Sequence, residues 1–302
     1  MTSPTTKQPR NSTTGEHDLP QATLRMRRRR PRKLGRSVVI TLMCLYGAVT
    51  LGPLLLMVTG SFRTGAAIFT NPLGFEWPPT LQPYIQAWQQ ANFSIYFLNS
   101  ILVTVGSVAI STAVSVLASY ALARSQSRVM QAIEAVFLSG LMMPIYLAIL
   151  PIFYLLDGFG LVDSLLGLTL VYAAGGIPFS IFIMTAFFRQ LPEELEEAGV
   201  IDGAGSFRRF WYIMLPLVRP AVAAVAIFRF VPVWNDFLYP VVLLRSANHY
   251  TLSVGIVSFF GQYQTDWSLL FAGLMIATIP LVVLFVLASK QIIAGLTAGM
   301  SK

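Results

Sequence analysis

Charge is scarce in this chain of 302 residues: Asp, Glu, Lys and Arg make up 11% of it, against 55% hydrophobic residues. Soluble domains carry about a quarter charged residues, so water is not the main solvent for most of this sequence. Cysteine occurs once, at Cys44, which excludes an internal disulfide and any cysteine-based metal cluster. Of the two histidines, His17 lies in a polar stretch and His249 between two apolar runs. No histidine is available inside an apolar run for a membrane serine or metal protease, and neither a catalytic nor a metal site is expected. A phosphate-binding loop needs Gly-Lys before Ser or Thr. None of the four lysines, Lys7, Lys33, Lys290 and Lys302, follows a glycine, so ATP chemistry is not expected of this chain.

What basicity there is sits in one place. The formal net charge is +8, and ten of the 21 Lys and Arg precede residue 37. A basic cluster directly before an apolar run reads as a cytoplasmic anchor facing anionic membrane lipid, not as a nucleic-acid surface. Residues 1–24 are rich in Thr, Ser, Pro, Gln and Asn without apolar periodicity, so residues 1–36 are expected to form a disordered basic tail. The run from Ser37 to Phe62 is too long for a signal-peptide core, lacks a persuasive small-residue cleavage site, and is expected to stay attached as an anchor.

Long apolar stretches dominate the rest of the chain. A helix needs ~20 residues to cross a hydrocarbon core of roughly 30 Å, and spans are expected at 37–61, 97–123, 135–156, 164–188, 217–244 and 267–289. The fifth is the least secure by hydropathy because Arg229 and Asp236 interrupt it. Charge asymmetry supports it. With six spans and a cytoplasmic N-terminus, eighteen of the 21 basic residues fall on the cytoplasmic side, only Arg63 and Arg245 outside, and Arg229 in the membrane, as the positive-inside rule requires. The expectation is an all-α integral membrane domain over 37–302 with six transmembrane helices and both termini cytoplasmic.

The cytoplasmic loop 189–216 reads QLPEELEEAGVIDGAGSFRRFWYIMLP after Arg189. Pro192 at a first helical position, followed by Glu193 and Glu194, suits a helix start. Gly199, Gly203 and Gly205 are expected to limit that helix, Ser206 to cap a second one, and Pro216 to mark the bend into the next span.

This loop resembles the Glu-Ala-Ala signature of binding-protein-dependent ABC importer permeases, with Glu197, Ala198 and Gly203 followed by Ile213, Leu215 and Pro216. Gly199 stands where that family usually has alanine. The segments NFSIYFLNSILVT, YALAR at 120–124, VWNDFLYPVVLL at 233–244 and GLTAG at 295–299 resemble the carbohydrate branch, in particular the second, six-span permease of maltose-type importers.

The resemblance implies a type I (MetI-like) permease fold in the bacterial plasma membrane. It implies partnership with a second permease, a dimeric ATPase that binds ATP and Mg, an extracytoplasmic solute-binding protein and a sugar. The loop would be a coupling segment docking on the ATPase. Glu197, Ala198, Gly199 and Gly203 are its candidate coupling residues, with Glu193, Glu194, Glu196 and Asp202 as candidate partners for basic groups. A stand-alone channel or secondary transporter is the alternative for a six-span chain.

Candidates for the solute path come from the interrupted fifth span. Arg229 and Asp236 are seven residues apart, two turns on one predicted helix and therefore on one face. Charges at membrane depth usually face a bundle interior or a wet cavity. Arg229, Trp234, Asn235, Asp236 and Tyr239 are accordingly candidates to line the path, since amide and carboxylate groups suit sugar hydroxyls and aromatic faces suit sugar C–H surfaces. The alternative is an interior ion pair. Ser107, Ser111, Ser115 and Ser119 recur every four residues, and this stripe points to close helix packing ahead of a hydroxyl-lined channel.

Overall fold

A computed structural model describes residues 33–71, 74–89, 92–257 and 266–298. The greater part of the basic tail, and Gly299 at the end of the GLTAG segment, lie outside the described residues. The chain divides into two units, 1–50 and 51–302. Helix α1 (Lys33–Ser61) runs through the division and begins inside the segment expected to be a disordered tail.

Within the larger unit come α2 (Gly65–Thr70), α3 (Gln82–Gln89), α4 (Phe93–Arg124) and α5 (Arg128–Gly140). A 3-10 turn (Ile145–Ala148) leads to α6 (Ile149–Gly158), α7 (Leu165–Gln190), α8 (Glu194–Ile201) and α9 (Ser206–Arg209). A π turn (Phe210–Met214) joins α10 (Leu215–Asn235), followed by α11 (Leu238–Leu243), α12 (Leu252–Val257) and α13 (Trp267–Ala298).

Among the described residues, five stretches are long and apolar enough to span a membrane: Ser37–Ser61, Phe93–Arg124, Leu165–Gln190, Ser206–Asn235 and Trp267–Ala288. A sixth requires counting a bent pair, Arg128–Gly140 with Ile145–Gly158, as one span; the two halves meet at 91°. The expected continuous span 135–156 is thus a broken one. Pro144 lacks a donor for the preceding turn and keeps Met143 out of helical geometry, and Pro144 itself is extended at ψ 109°. The fifth span also departs from expectation. It is helical from Ser206 and stops at Asn235, where Asp236 turns extended (φ −69°, ψ 135°) before α11 begins, so 217–244 is not one helix.

The core is organised around α4 and α7. Ser107, Ser111, Ser115 and Ser119 are all buried, Ser115 Oγ donates to the Ile177 carbonyl and Ser119 Oγ to that of Ile181, both at 3.4 Å. Gly176 lies against Ser111, where an added Cβ would meet the serine Cβ at 3.1 Å. The stripe therefore brings two backbones close, the packing use of small residues in membranes. α10 packs against this pair and against α13. Met184, Phe188, Phe210, Met214 and Val218 form one buried cluster at the end of α7 that leads into α8.

At the opposite end, polar groups tie the segment after α11 to the bundle. Asn99 Nδ2 donates to the carbonyls of Asn248 (2.8 Å) and Tyr250 (3.0 Å), and the Leu252 N–H donates to Ser100 Oγ at 2.7 Å. Asp163, in a left-handed conformation (φ 57°), accepts from the Arg245 and Ser246 N–H groups at 2.9 Å and from the Ser246 hydroxyl, and its Oδ1 lies 3.2 Å from His249 Nδ1. Desolvation of Asp163 works to raise its pKa, but these donors outweigh it and hold the carboxyl well below the usual carboxylate range.

Candidate functional site

Two regions carry the candidate residues. The first is the segment between α7 and α10. α8 begins at Glu194, with the Pro192 carbonyl accepting the Leu195 N–H at 3.4 Å. It ends at Ile201, and Gly203 follows its C-cap Asp202 with a φ of +75° that an L side chain adopts only under strain. The Gly203 N–H donates to Val200 O (2.9 Å) and the Ala204 N–H to Gly199 O (2.8 Å), closing the last turn.

Three local expectations need correction. Gly199 does not limit α8 but sits inside it, buried, where a Cβ would approach Ile213 Cδ1 to 2.9 Å and Arg209 Cδ to 3.2 Å. Gly205, not Ser206, occupies the N-cap of α9, and the Ser206 hydroxyl accepts instead from Arg209 Nη2 at 3.3 Å. Pro216 does not separate two helices: it falls in the first turn of α10 directly after the π turn, within one 30-residue helical stretch from Ser206 to Asn235.

The acidic residues of α8 divide by role. Glu196 is committed within the chain: its Oε1 lies 2.5 Å from Arg124 Nε at the end of α4, and its Oε2 accepts from Tyr120 OH at 3.1 Å. Arg124 Nη2 also donates to the Leu191 carbonyl at 3.2 Å. Glu196 is therefore a tether, not a group on offer to a partner. Glu193, Glu194, Glu197, Ala198, Asp202 and Gly203 face outward. Beside them the side chains of Ile201 (85%) and Phe207 (74%) are largely exposed. The result is a short helix pinned at its base, with an acidic and apolar outer face.

The second region is a cavity of ≈ 100 Å³ where the two broken spans meet, lined by Ile145, Tyr146, Tyr172, Arg229, Pro232, Val233, Asp236 and Tyr239. Tyr172 OH donates to Asp236 Oδ2 at 2.7 Å, Leu238 N–H donates to Asp236 Oδ1 at 3.2 Å, and Tyr239 OH donates to the Ile145 carbonyl at 2.7 Å. Arg229 Nη2 donates to the Tyr172 carbonyl at 3.3 Å. The three ion pairs among the described residues do not include Arg229 with Asp236.

Of the five candidate path residues, Arg229, Asp236 and Tyr239 come together here. Trp234 and Asn235 do not. Trp234 is buried with its indole N–H on the Ala277 carbonyl (3.1 Å) and its ring stacked on Phe230, and with Asn235 it lines a different cavity beside α12 and α13. The break at Asp236 removes the common helical face on which the five were grouped. Tyr146 and Tyr172 complete the cavity from other elements, 57 residues or more from Arg229 in sequence, and no local spacing points to them.

A model of the family described as binding-protein-dependent transport system inner membrane component matches residues 115–299. The chain belongs to this family. It is 35% identical over 260 residues to the diacetylchitobiose uptake system permease protein NgcG of Streptomyces coelicolor, covering 85% of this chain and 86% of that protein. It is 31% identical over 273 residues to the maltodextrin transport system permease protein MdxG of Bacillus subtilis, covering 90% and 98%. In fold it is similar to a chain of a bacterial ABC transporter involved in the import of alginate, with a TM-score of 0.77 at 21% identity over 86% of this chain and 98% of that one. The expected permease family and all-helical fold are thereby established, and the chain is a multi-pass protein of the bacterial inner membrane.

Proposed function

We propose that this inner membrane component is the permease subunit of an ATP-driven sugar importer, coupled to a cytoplasmic ATPase through residues 193–216. The named relatives include permeases of diacetylchitobiose and maltodextrin systems, which supports a sugar as solute. Both termini and α8 are assigned to the cytoplasm on the distribution of basic residues. A second permease, two ATPase subunits that bind ATP and Mg, and an extracytoplasmic binding protein complete the machine; ATP hydrolysis belongs to the partner.

The observation that carries the coupling role is the state of α8: exposed Glu193, Glu194 and Glu197 with Ile201 and Phe207 on an element fixed by the Arg124–Glu196 pair. A docked ATPase would gain desolvated apolar contact from the tip and charge complementarity from the acids. Movement of α8 would pass through its packing on Ile213 and Arg209 to the helical stretch 206–235. At 1.5 Å per residue that stretch is about 45 Å long, enough to link the coupling face to the break at Asp236.

Glu197→Arg tests this. Uptake should fall at least about tenfold while the variant still assembles with its partners in the membrane, and undiminished uptake would refute the coupling assignment.

A further inference from the structure

The cavity between the broken spans has an uneven balance of hydrogen-bonding capacity. Both oxygens of Asp236 are occupied, Oδ2 by Tyr172 OH and Oδ1 by the Leu238 N–H. Tyr239 OH is committed to the Ile145 carbonyl. Arg229 is the opposite case. A guanidinium offers five N–H donors; one is used, in a 3.3 Å bond to the Tyr172 carbonyl, and Nε is buried without a partner. No carboxylate forms an ion pair with it among the described residues. An arginine inside a membrane span is costly, and no carboxylate lies within ion-pair distance of this one among the described residues.

Space has been made for it all the same. A Cβ on Gly176 of α7 would lie 2.8 Å from Arg229 Nε, so the glycine admits the guanidinium between α7 and α10. The unfilled capacity of the cavity is therefore cationic and donor-rich. A guanidinium matches a carboxylate with two parallel hydrogen bonds. The volume of ≈ 100 Å³ accommodates one such group, not a sugar ring, and the Tyr146 and Tyr239 rings, packed on each other with centroids 6.0 Å apart, form part of its wall.

We propose that Arg229 is a specificity-determining residue that binds the carboxylate of an acidic sugar, so that the transported solute is a uronate-containing saccharide. This rests on the importer reading and narrows its substrate class. The test uses the complete complex reconstituted in vesicles with its binding protein at saturation, and measures ATP-dependent uptake of a panel of uronate disaccharides, each beside its neutral methyl ester.

For the wild type, at least one free acid should be taken up about tenfold or more faster than its ester. Arg229→Gln should erase that preference, lowering uptake of the free acid at least about tenfold more than uptake of its ester, and Arg229→Lys should keep part of it. Uptake confined to neutral sugars, or an equal loss for acid and ester in Arg229→Gln, would overturn the proposal and leave the importer reading intact. Weakened assembly of the two permeases in Arg229→Gln with unchanged selectivity would overturn it too, by showing that the partner supplies the counter-charge. Failure of an assembled complex to move any sugar would instead refute the importer reading itself.

Discussion

Gly199 and Gly203 lie four residues apart around the end of one short helix and answer to different constraints. At Gly203 the constraint is the backbone: with φ at +75° and open space around the position, an alanine is strained by about 1–2 kcal/mol. Gly203→Ala should lower the thermal stability of the purified protein measurably, and Gly203→Asn should lower it less, because asparagine tolerates the left-handed region. At Gly199 the constraint is space. The nearest obstacle is the terminal methyl of Ile213 at 2.9 Å, a flexible end that can shift, and alanine gains up to about 1 kcal/mol of helix propensity. Gly199→Ala should therefore leave stability and uptake close to wild type, whereas Gly199→Leu should disrupt the loop. Both glycines stand out in the sequence as members of a motif. Their separation into a turn-former and a packing contact is not legible there, because it depends on where the π turn brings Ile213. In the sequence Asp163 is only the edge of a short connection, since its partners lie more than 80 residues away. Its folded carboxyl titrates below the unfolded one, so its stabilisation is complete above about pH 4 and is lost as pH falls through the folded value. Asp163→Asn, which retains the left-handed backbone, should cost about 1 kcal/mol near neutral pH and should flatten the acid side of a melting-temperature profile.

At the scale of elements, the two departures from the expected spans have the same origin. Hydropathy reports that a run is apolar, not that its helix is continuous, and both 135–156 and 217–244 break within the run. Pro144 is visible in the sequence as a potential hinge. The break at Asp236 carries a weaker signal, because no proline or glycine stands there, and the carboxylate instead accepts the Leu238 N–H two residues on, the local bonding that favours turns over helix. The placement of α8 is more legible: an acidic first turn and a glycine stop delimit it to within two residues. Its tether is not, since Arg124 and Glu196 are 72 residues apart. With both side chains 16% exposed, breaking the pair should cost between the ~1 kcal/mol of a surface pair and the ~3 kcal/mol of a buried one. Arg124→Gln and Glu196→Gln should each reduce uptake relative to ATP hydrolysis in the reconstituted complex. The charge-swapped double variant should recover part of the loss, and two single effects that simply add would argue against a working pair.

At the scale of the whole molecule, scarcity of charge and its distribution indicate a multi-span protein, and the matched family and fold agree. Its own residues provide a tethered helix with an acidic and apolar outer face, a long helical connection, and a donor-rich cavity between two broken spans. Such a chain should not function alone. The most direct measurement is to extract the tagged chain gently from its native membrane and identify what accompanies it. The expected companions are a second multi-span protein and an ATPase carrying a phosphate-binding loop. A chain that emerges alone and conducts solute in vesicles without ATP would contradict the subunit role and establish a channel or secondary transporter instead.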